Sequence, residues 1–172
     1  MKKLLLVTML AALAFPGCCR TGTSGGASSS LSLASSAQVE SGVRAFMQTV
    51  AHDVTLDGPI AWRKHFAMSP AFFMAVNGSM AFADSAAATT GIQGAAQAIP
   101  HIELVWGNDL RVDPLTQELA VVATSWHEVQ TNQAGKRVDS SGFFTGVAEQ
   151  RDGRWQFRDA HWSEAEPPEP AK

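Results

Sequence analysis

Asp159 and His161 are the residues of this sequence whose types and spacing are best suited to chemistry. They lie in an alternating run, Trp155 to Ser163, that follows the dipeptide Asp152-Gly153. An Asp-Gly pair between two alternating runs is a strong signal for a two-residue β-hairpin turn. Because side chains two apart on a strand point to the same side, Asp159 and His161 should share a face with Phe157. A face that begins aromatic and ends in an acid and an imidazole is typical of a pocket wall.

An aspartate and a histidine side by side in an apolar pocket can transfer protons. Burial raises the pKa of a carboxyl group and a neighbouring imidazolium lowers it, and either protonation state suits general acid–base work. We therefore take Asp159 and His161 as the candidate catalytic residues. The alternative is structural, with the two side chains satisfying each other or backbone groups at the pocket mouth.

A metal site is the other chemistry that these residues could support. His127, Asp159 and His161 together offer two imidazoles and a carboxylate, a set known for iron and zinc. The five histidines of the chain are scattered, however, and none forms a short ligand motif such as His-x-x-x-His. We therefore predict no metal and no cofactor.

The first residues have the composition of an export signal. Lys2 and Lys3 precede an apolar run, Leu4 to Phe15, which is too short to span a bilayer as a helix. Pro16-Gly17-Cys18 then resembles a bacterial lipoprotein cleavage site, so we predict a signal peptide over residues 1–17 and lipidation of Cys18. The alternative is a plain secretory signal. The protein is thus expected to be exported, and either lipid-anchored at the cell envelope or periplasmic or secreted.

Composition divides the rest of the chain into a tether, one domain and a tail. Residues 18–38 are rich in Ser, Gly and Ala, which is typical of a flexible tether. Residues 39–165 are long enough to bury a core as one domain, and residues 166–172, with their prolines, are expected to be disordered. The two cysteines, Cys18 and Cys19, are adjacent and precede the domain, so burial alone must stabilise it.

The charge balance argues against nucleic acid as a partner. Without Lys2 and Lys3, 11 of the 13 basic residues remain against 16 acidic ones, which gives a net charge of −5. The sequence contains no basic run and no basic stretch interleaved with aromatic residues. We expect contact with a membrane only through the N-terminal lipid.

Helical spacing and turn dipeptides indicate an α+β fold. The Asn77-Gly78 pair predicts a short hairpin. Pro100 is expected to end the helix that directly precedes Pro100 in the chain. The predicted elements, in chain order, are helices over 39–53 and 57–68, a hairpin over 72–82, a helix over 84–99, and strands over 102–112, 118–131, 137–150 and 155–163.

The chain resembles the nuclear transport factor 2-like superfamily, and within it the SnoaL-like proteins of bacteria. The resemblance rests on the element order, on Trp62, on the Asn77-Gly78 turn, on the Ile99-Pro100 break and on the closing run from Asp152 to Ser163. It implies a curved antiparallel sheet wrapped around three helices as a cone with an open end. It also implies a small apolar ligand in the cone and a homodimer through the outer face of the sheet.

Strand pairing assigns side chains to the two faces of this sheet. If Asp152-Gly153 and Ala134-Gly135 are both two-residue turns, Phe144 lies opposite His161 and His127 lies opposite Gly142. The predicted pocket wall, besides Asp159 and His161, consists of Trp62, Phe66, Phe72, Met74, Trp106, Ser125, His127, Phe144 and Phe157. The predicted outer, dimer-forming face carries Trp126, Phe143, Val147 and Trp162. A one-residue bulge would exchange the two faces locally.

The sequence leaves the activity open between two classes. It contains no tyrosine, whereas ketosteroid isomerase-like and dehydratase-type members of the family it resembles use a tyrosine in the pocket. The first class is a protein that binds a small hydrophobic molecule, with or without cofactor-independent isomerase, dehydratase or cyclase chemistry. The second is a non-catalytic dimeric interaction module whose cone is filled by its own side chains. An empty cavity near Asp159 would favour the first class.

Overall fold

Three helices and seven strands make up residues 31–166, the part of the chain that this computed structural model describes. The helices are α1 (Leu33–Asp57), α2 (Trp62–His65) and α3 (Ser85–Ala98), with a 3-10 turn over Gly58–Ala61. The strands are β1 (Phe73–Val76), β2 (Ser79–Phe82), β3 (His101–Trp106), β4 (Arg111–Pro114), β5 (Leu119–Thr131), β6 (Arg137–Arg151) and β7 (Arg154–Glu164). The predicted signal peptide, Cys18 and residues 167–172 of the predicted tail lie outside the described residues.

The strands form one curved, unclosed sheet in the order β2-β1-β7-β6-β5-β3, and β4 also pairs with β5. The predicted strand over 102–112 is therefore two strands, β3 and β4, which pair with different parts of β5. Neighbouring strands are antiparallel except for β1 and β7, which run parallel. The α+β class and the curved sheet are as predicted, with this one parallel pair added.

Helix α1 supplies the centre of the core. Its buried side chains include Val43, Phe46, Met47 and Val50, at the spacing that places them on one helix face. Ser32 caps its start by accepting a hydrogen bond from the Ser35 amide at 3.1 Å. Residues 33–38, predicted to belong to the tether, are thus the beginning of this helix.

The predicted second helix over 57–68 is much shorter than expected. A 3-10 turn with Pro59 in its first turn leads into the single turn of α2. Phe66 then takes up an extended conformation and forms a bridge with Phe157 of β7, while the Ala67 amide donates to the Phe157 carbonyl at 2.8 Å. The helix ends early because its next residues pair with the sheet.

Both predicted two-residue turns of the Asn-Gly and Asp-Gly type are confirmed. Asn77 and Gly78 have φ of 48° and 79°, and Asp152 and Gly153 have φ of 52° and 74°. Positive φ at both central positions is what a tight hairpin turn requires, which explains the residue types found there.

The concave face of the sheet packs on α1. The Trp106 indole of β3 donates to the Met47 carbonyl of α1 at 2.7 Å, and the Leu104 amide donates to the Thr55 hydroxyl at 3.0 Å. Phe144 and Phe157, on the same face of the sheet, are fully buried in the core to which α1 also contributes. Within residues 31–166, no helix combines the length and the apolar character needed to cross a membrane.

Candidate functional site

The register between β5 and β6 differs by one residue from the predicted one. Thr131 pairs with Arg137, so residues 132–136 form the loop, and Trp126 lies opposite Gly142. The Asn132 side-chain oxygen accepts from the amides of Ala134 and Lys136, each at 2.9 Å, and fixes this longer loop. The two-residue turn predicted at Ala134-Gly135 is therefore wrong, because it overlooked the turn-forming side chain of Asn132.

A bulge in β7 causes the second difference. Ala148 pairs with Phe157 but Val147 pairs with Asp159, so Arg158 has no partner on β6. On its other side, β7 first receives the Ala67 hydrogen bond at Phe157 and then pairs with β1 from Asp159 onward. The bulge lies where β7 changes neighbours. Beyond the bulge, each side chain of β7 points to the face opposite to the predicted one.

The prediction that Asp159 and His161 face into the cone is wrong as a result. Asp159 lies opposite Val147 and Phe73, and His161 lies exposed, opposite Thr145 and Ala75, on the outer face. Burial on that face, partly offset by Arg158, raises the pKa of the Asp159 carboxyl. The two residues have no access to the inside of the cone.

Four further residues lie on the opposite face of the sheet from the predicted one, for the same two reasons. Ser125 and His127 lie on the outer face, where the Ser125 hydroxyl donates to Asp109 at 2.8 Å and the His127 ring is 2.9 Å from Asp139. Trp126 and Trp162 lie inside instead of on the predicted dimer face. Phe143 and Val147 remain on the outer face as predicted.

The other predicted pocket residues are on the inner side, but they divide between a pocket and the core. Trp62, Phe66 and Met74 line a pocket. Phe72, Phe144 and Phe157 are fully buried in the core, and Trp106 packs on that core.

The pocket has a volume of about 240 Å³ and lies between the 3-10 turn, α3, the β1–β2 hairpin and the inner faces of β3, β5, β6 and β7. Aromatic and aliphatic side chains form most of its wall, and polar groups come from the ends of β5, β6 and β7. The aromatic lining residues are Trp62, Phe66, Phe82, Trp126 and Trp162, and the polar ones are Glu128, Gln130, Ser140 and Glu164.

Trp162 holds the aromatic wall together. Its ring centroid lies 5.2 Å from that of Trp126 and 5.5 Å from that of Trp62, which it meets edge-on at 89°. It also contacts Trp106 at 5.6 Å and Phe144 at 5.0 Å, which ties the pocket to the core. Such tilted and edge-on pairs are favourable and leave the indole rings little freedom to move.

Glu128 is one of the pocket residues that were not predicted from the sequence. It lies on the inner face beside Trp126 and Gln130, and it is only 7% exposed. The Gln130 amide donates a hydrogen bond to its carboxyl group. Burial raises the pKa of Glu128, the Gln130 hydrogen bond partly offsets this, and the nearby Glu164 carboxylate adds to the rise.

Trp126 brings an unused hydrogen-bond donor to the same wall. Its side chain is 3% exposed, and its indole Nε1 has no hydrogen-bond partner among residues 31–166. A buried donor without a partner is costly, so a water molecule is the acceptor expected there.

Solved structures with the same architecture are numerous, although neither a protein-family model nor a curated protein matches the sequence. A nuclear transport factor 2-like superfamily protein from Salmonella enterica has a TM-score of 0.65 at 12% identity, over 77% of this chain and 94% of that one. A protein with a cystatin-like fold from Caulobacter vibrioides has a TM-score of 0.59 at 13% identity, over 76% and 92% of the two chains. A hexachlorocyclohexane dehydrochlorinase has a TM-score of 0.57 at 12% identity, over 78% and 100%.

The chain has a nuclear transport factor 2-like fold. The three solved structures cover 76–78% of this chain and 92–100% of their own length. The pocket lies inside the concave sheet of this fold.

One other buried titratable group lies apart from the pocket of this nuclear transport factor 2-like domain. His65 of α2 is buried against Phe46, with ring centroids 5.9 Å apart, and its Nε2 is 3.2 Å from an Asp53 carboxyl oxygen without hydrogen-bond geometry. Burial lowers the pKa of His65, and the Asp53 charge works in the opposite direction. Among residues 31–166, no three or more His, Cys, Asp and Glu side chains group together as metal ligands would.

Proposed function

We propose that this protein binds a small, largely apolar molecule in the pocket lined by Trp62, Trp126 and Trp162. The observation that carries the proposal is a space of about 240 Å³ with aromatic walls and one deeply buried carboxyl group, Glu128. Concave apolar sites with a few convergent polar groups are the usual form of small-molecule sites. The volume is below the range of about 300–1,000 Å³ typical of drug-sized ligands, so the ligand is expected to be small.

Glu128 is the group through which this pocket would transfer a proton. Its pKa is raised by burial, which brings a carboxyl group closer to the range where it acts as a general acid or base at neutral pH. The similarity in fold to a hexachlorocyclohexane dehydrochlorinase is compatible with such chemistry and does not identify a substrate. The acid–base role expected of Asp159 and His161 thus passes to Glu128.

The binding proposal is tested by titrating the protein with tert-butylbenzene, a compact neutral molecule, and following tryptophan emission and ligand NMR signals. Ala95 of α3 lines the pocket, and Ala95→Phe should fill it and weaken binding about tenfold or more. Ala98→Phe, an exposed position on the same helix, is the matched control and should bind as the wild type does. Equal binding by the two variants would place the ligand elsewhere and contradict the proposal.

We also propose a homodimer through the outer face of the sheet. Val121, Val147 and Phe73 share one row of that face with Asp159, and Phe143 lies nearby with 43% of its surface exposed. Exposed apolar side chains on a sheet face are a common protein–protein contact. This proposal is compatible with a ligand in the pocket, which lies on the opposite side of the sheet.

We further propose that the protein is exported and lipid-anchored at Cys18. The support is the sequence alone: a positive start, an apolar run and Pro16-Gly17-Cys18. Cys18→Ser should move the protein from the membrane fraction to the soluble fraction. An unmodified mature N-terminus at another residue, found by mass spectrometry, would contradict lipidation.

A further inference from the structure

We infer that the molecule bound by this pocket carries a positively charged nitrogen, so that its ligand class is a compact hydrophobic amine or quaternary ammonium compound. The inference rests on the proposed binding function and adds the charge of the ligand to it.

The charge of the pocket wall points to a cation. Glu128 and Glu164 both line the pocket, and its described lining contains no lysine, arginine or histidine. Among the hydrogen bonds of residues 31–166, only one oxygen of the Glu128 carboxyl is engaged, by Gln130. A neutral ligand would remove further water from an unpaired carboxylate, and an anionic ligand would be repelled, whereas a cation would compensate the charge.

The aromatic wall favours the same kind of ligand. Three tryptophans line the pocket, and indole faces attract cations more strongly than other aromatic side chains do. Trp62 and Trp162 meet at 89°, and Trp126 is inclined to Trp162 by 44°, so the three indole rings do not stack in parallel. Proteins recognise alkylated ammonium groups with groups of aromatic rings, and here a carboxyl group lies beside the rings.

The carboxylates have distinct places in this arrangement. Glu128 is buried beside Trp126, two residues along the same face of β5. Glu164 is exposed, and its side chain accepts from the Asn77 amide at 3.1 Å. Glu128 is therefore the counter-ion inside the pocket, and Glu164 adds negative potential where the pocket meets solvent.

Phenyltrimethylammonium and tert-butylbenzene provide a matched pair of probes, because they have the same shape and differ by one positive charge. The quaternary ammonium group keeps its charge at every pH, so its titration reports on the protein alone. Benzenesulfonate is the anionic probe. Binding is measured by tryptophan emission and by calorimetry on the wild type, Glu128→Gln, Glu164→Gln and the control Glu103→Gln, which removes a charge from the outer face of β3.

In the wild type, phenyltrimethylammonium should bind about tenfold or more tightly than tert-butylbenzene, and benzenesulfonate should not bind. Glu128→Gln should remove most of this preference while tert-butylbenzene binds as before or more tightly. Glu164→Gln should weaken the cation by a smaller factor, and Glu103→Gln should change neither affinity. Thermal melting of each variant confirms that it is folded.

Two results would overturn the inference while leaving the binding function in place. One is tert-butylbenzene binding at least as tightly as phenyltrimethylammonium to the wild type, with Ala95→Phe still blocking it. The other is a cation preference that survives in Glu128→Gln. If neither probe binds to the wild type, the proposed function itself is contradicted.

Discussion

Glu128 is held in the pocket at a cost in stability that depends on pH. Burial raises the pKa of its carboxyl group, so the folded protein holds the proton more tightly than the unfolded chain does. The protonated side chain therefore makes its full stabilising contribution to the free energy of unfolding below the pKa of an unfolded glutamate. It is lost as the pH rises through the raised pKa of the folded state, where the buried group must ionise.

Replacing Glu128 by glutamine should stabilise the protein at neutral pH. The amide keeps the shape of the side chain and can still accept from Gln130, but it never carries a charge. The melting temperature of Glu128→Gln should exceed that of the wild type at neutral pH, and the difference should shrink as the pH falls towards about 4. Glu103→Gln is the control. A difference in melting temperature between Glu128→Gln and the wild type that does not vary with pH would contradict the burial of Glu128.

Asp159 and His161 should be dispensable for binding, because both lie on the outer face. Asp159→Asn and His161→Gln should each leave the affinity for tert-butylbenzene and for phenyltrimethylammonium unchanged within about twofold. Since burial also raises the pKa of Asp159, Asp159→Asn should not lower stability at neutral pH. A loss of ligand binding in either variant, with an unchanged melting curve, would restore the site first predicted from the sequence.

The face of Glu128 could have been found from the sequence, had Asn132 been taken into account. The inner positions of β5 before it are Ala120, Val122, Thr124 and Trp126, mostly apolar, and Glu128 continues their parity. The pairing predicted from Ala134-Gly135 moved this whole set to the other face, because a shift of one residue exchanges every side chain. A carboxylate on a mostly apolar face is then the signal of a site.

At the scale of the elements, the bulge at Arg158 decides which side chains of β7 enter the pocket. Phe157 is buried as predicted, but the next inward positions are Ala160 and Trp162 and not Asp159 and His161. The sequence did contain the signal, because the apolar residues Trp155 and Phe157 are followed by Ala160 and Trp162 with the opposite parity. A change of parity within one strand is what a bulge produces.

Deleting Arg158 should leave the other side chains of β7 on their present faces. Without the extra residue, Asp159 follows Phe157 directly, and Asp159, Ala160 and Trp162 keep their partners on β6. The free energy of unfolding should fall by about 0.5–3 kcal/mol, because the bend where β7 changes neighbours is lost. Arg158→Ala keeps the bulge and should change stability by about 0.5 kcal/mol or less, as for other exposed positions. Both values follow from urea unfolding curves, and loss of ligand binding by a deletion variant that still unfolds cooperatively would contradict this assignment of the two faces.

The Asn-Gly and Asp-Gly turns were the elements easiest to predict, because each depends on local residues. Asn77-Gly78 and Asp152-Gly153 form the expected turns, and Asp84 caps α3 by accepting from the Ala87 amide at 2.7 Å. The short α2 was not predictable in this way, since its end is set by pairing with Phe157, far away in the chain. Contacts between distant segments also set the bulge and the parallel pairing of β1 with β7.

At the scale of the whole molecule, the outer face of the sheet should hold two copies together. Phe143→Glu places a charge on this face and should convert the dimer to monomers in light scattering. Leu56→Glu is the control, because Leu56 is exposed on α1, which packs on the opposite face of the sheet. A wild-type protein that remains monomeric at high concentration would contradict the dimer, without affecting the pocket.

A crystal structure of the protein with phenyltrimethylammonium tests the central claim most directly, because it shows where the ligand lies and what surrounds it. We expect the ammonium group beside the Glu128 carboxyl and against the rings of Trp126 and Trp162, inside the concave sheet. A cone filled by its own side chains, or a probe bound on the outer face near Asp159 and His161, would contradict it.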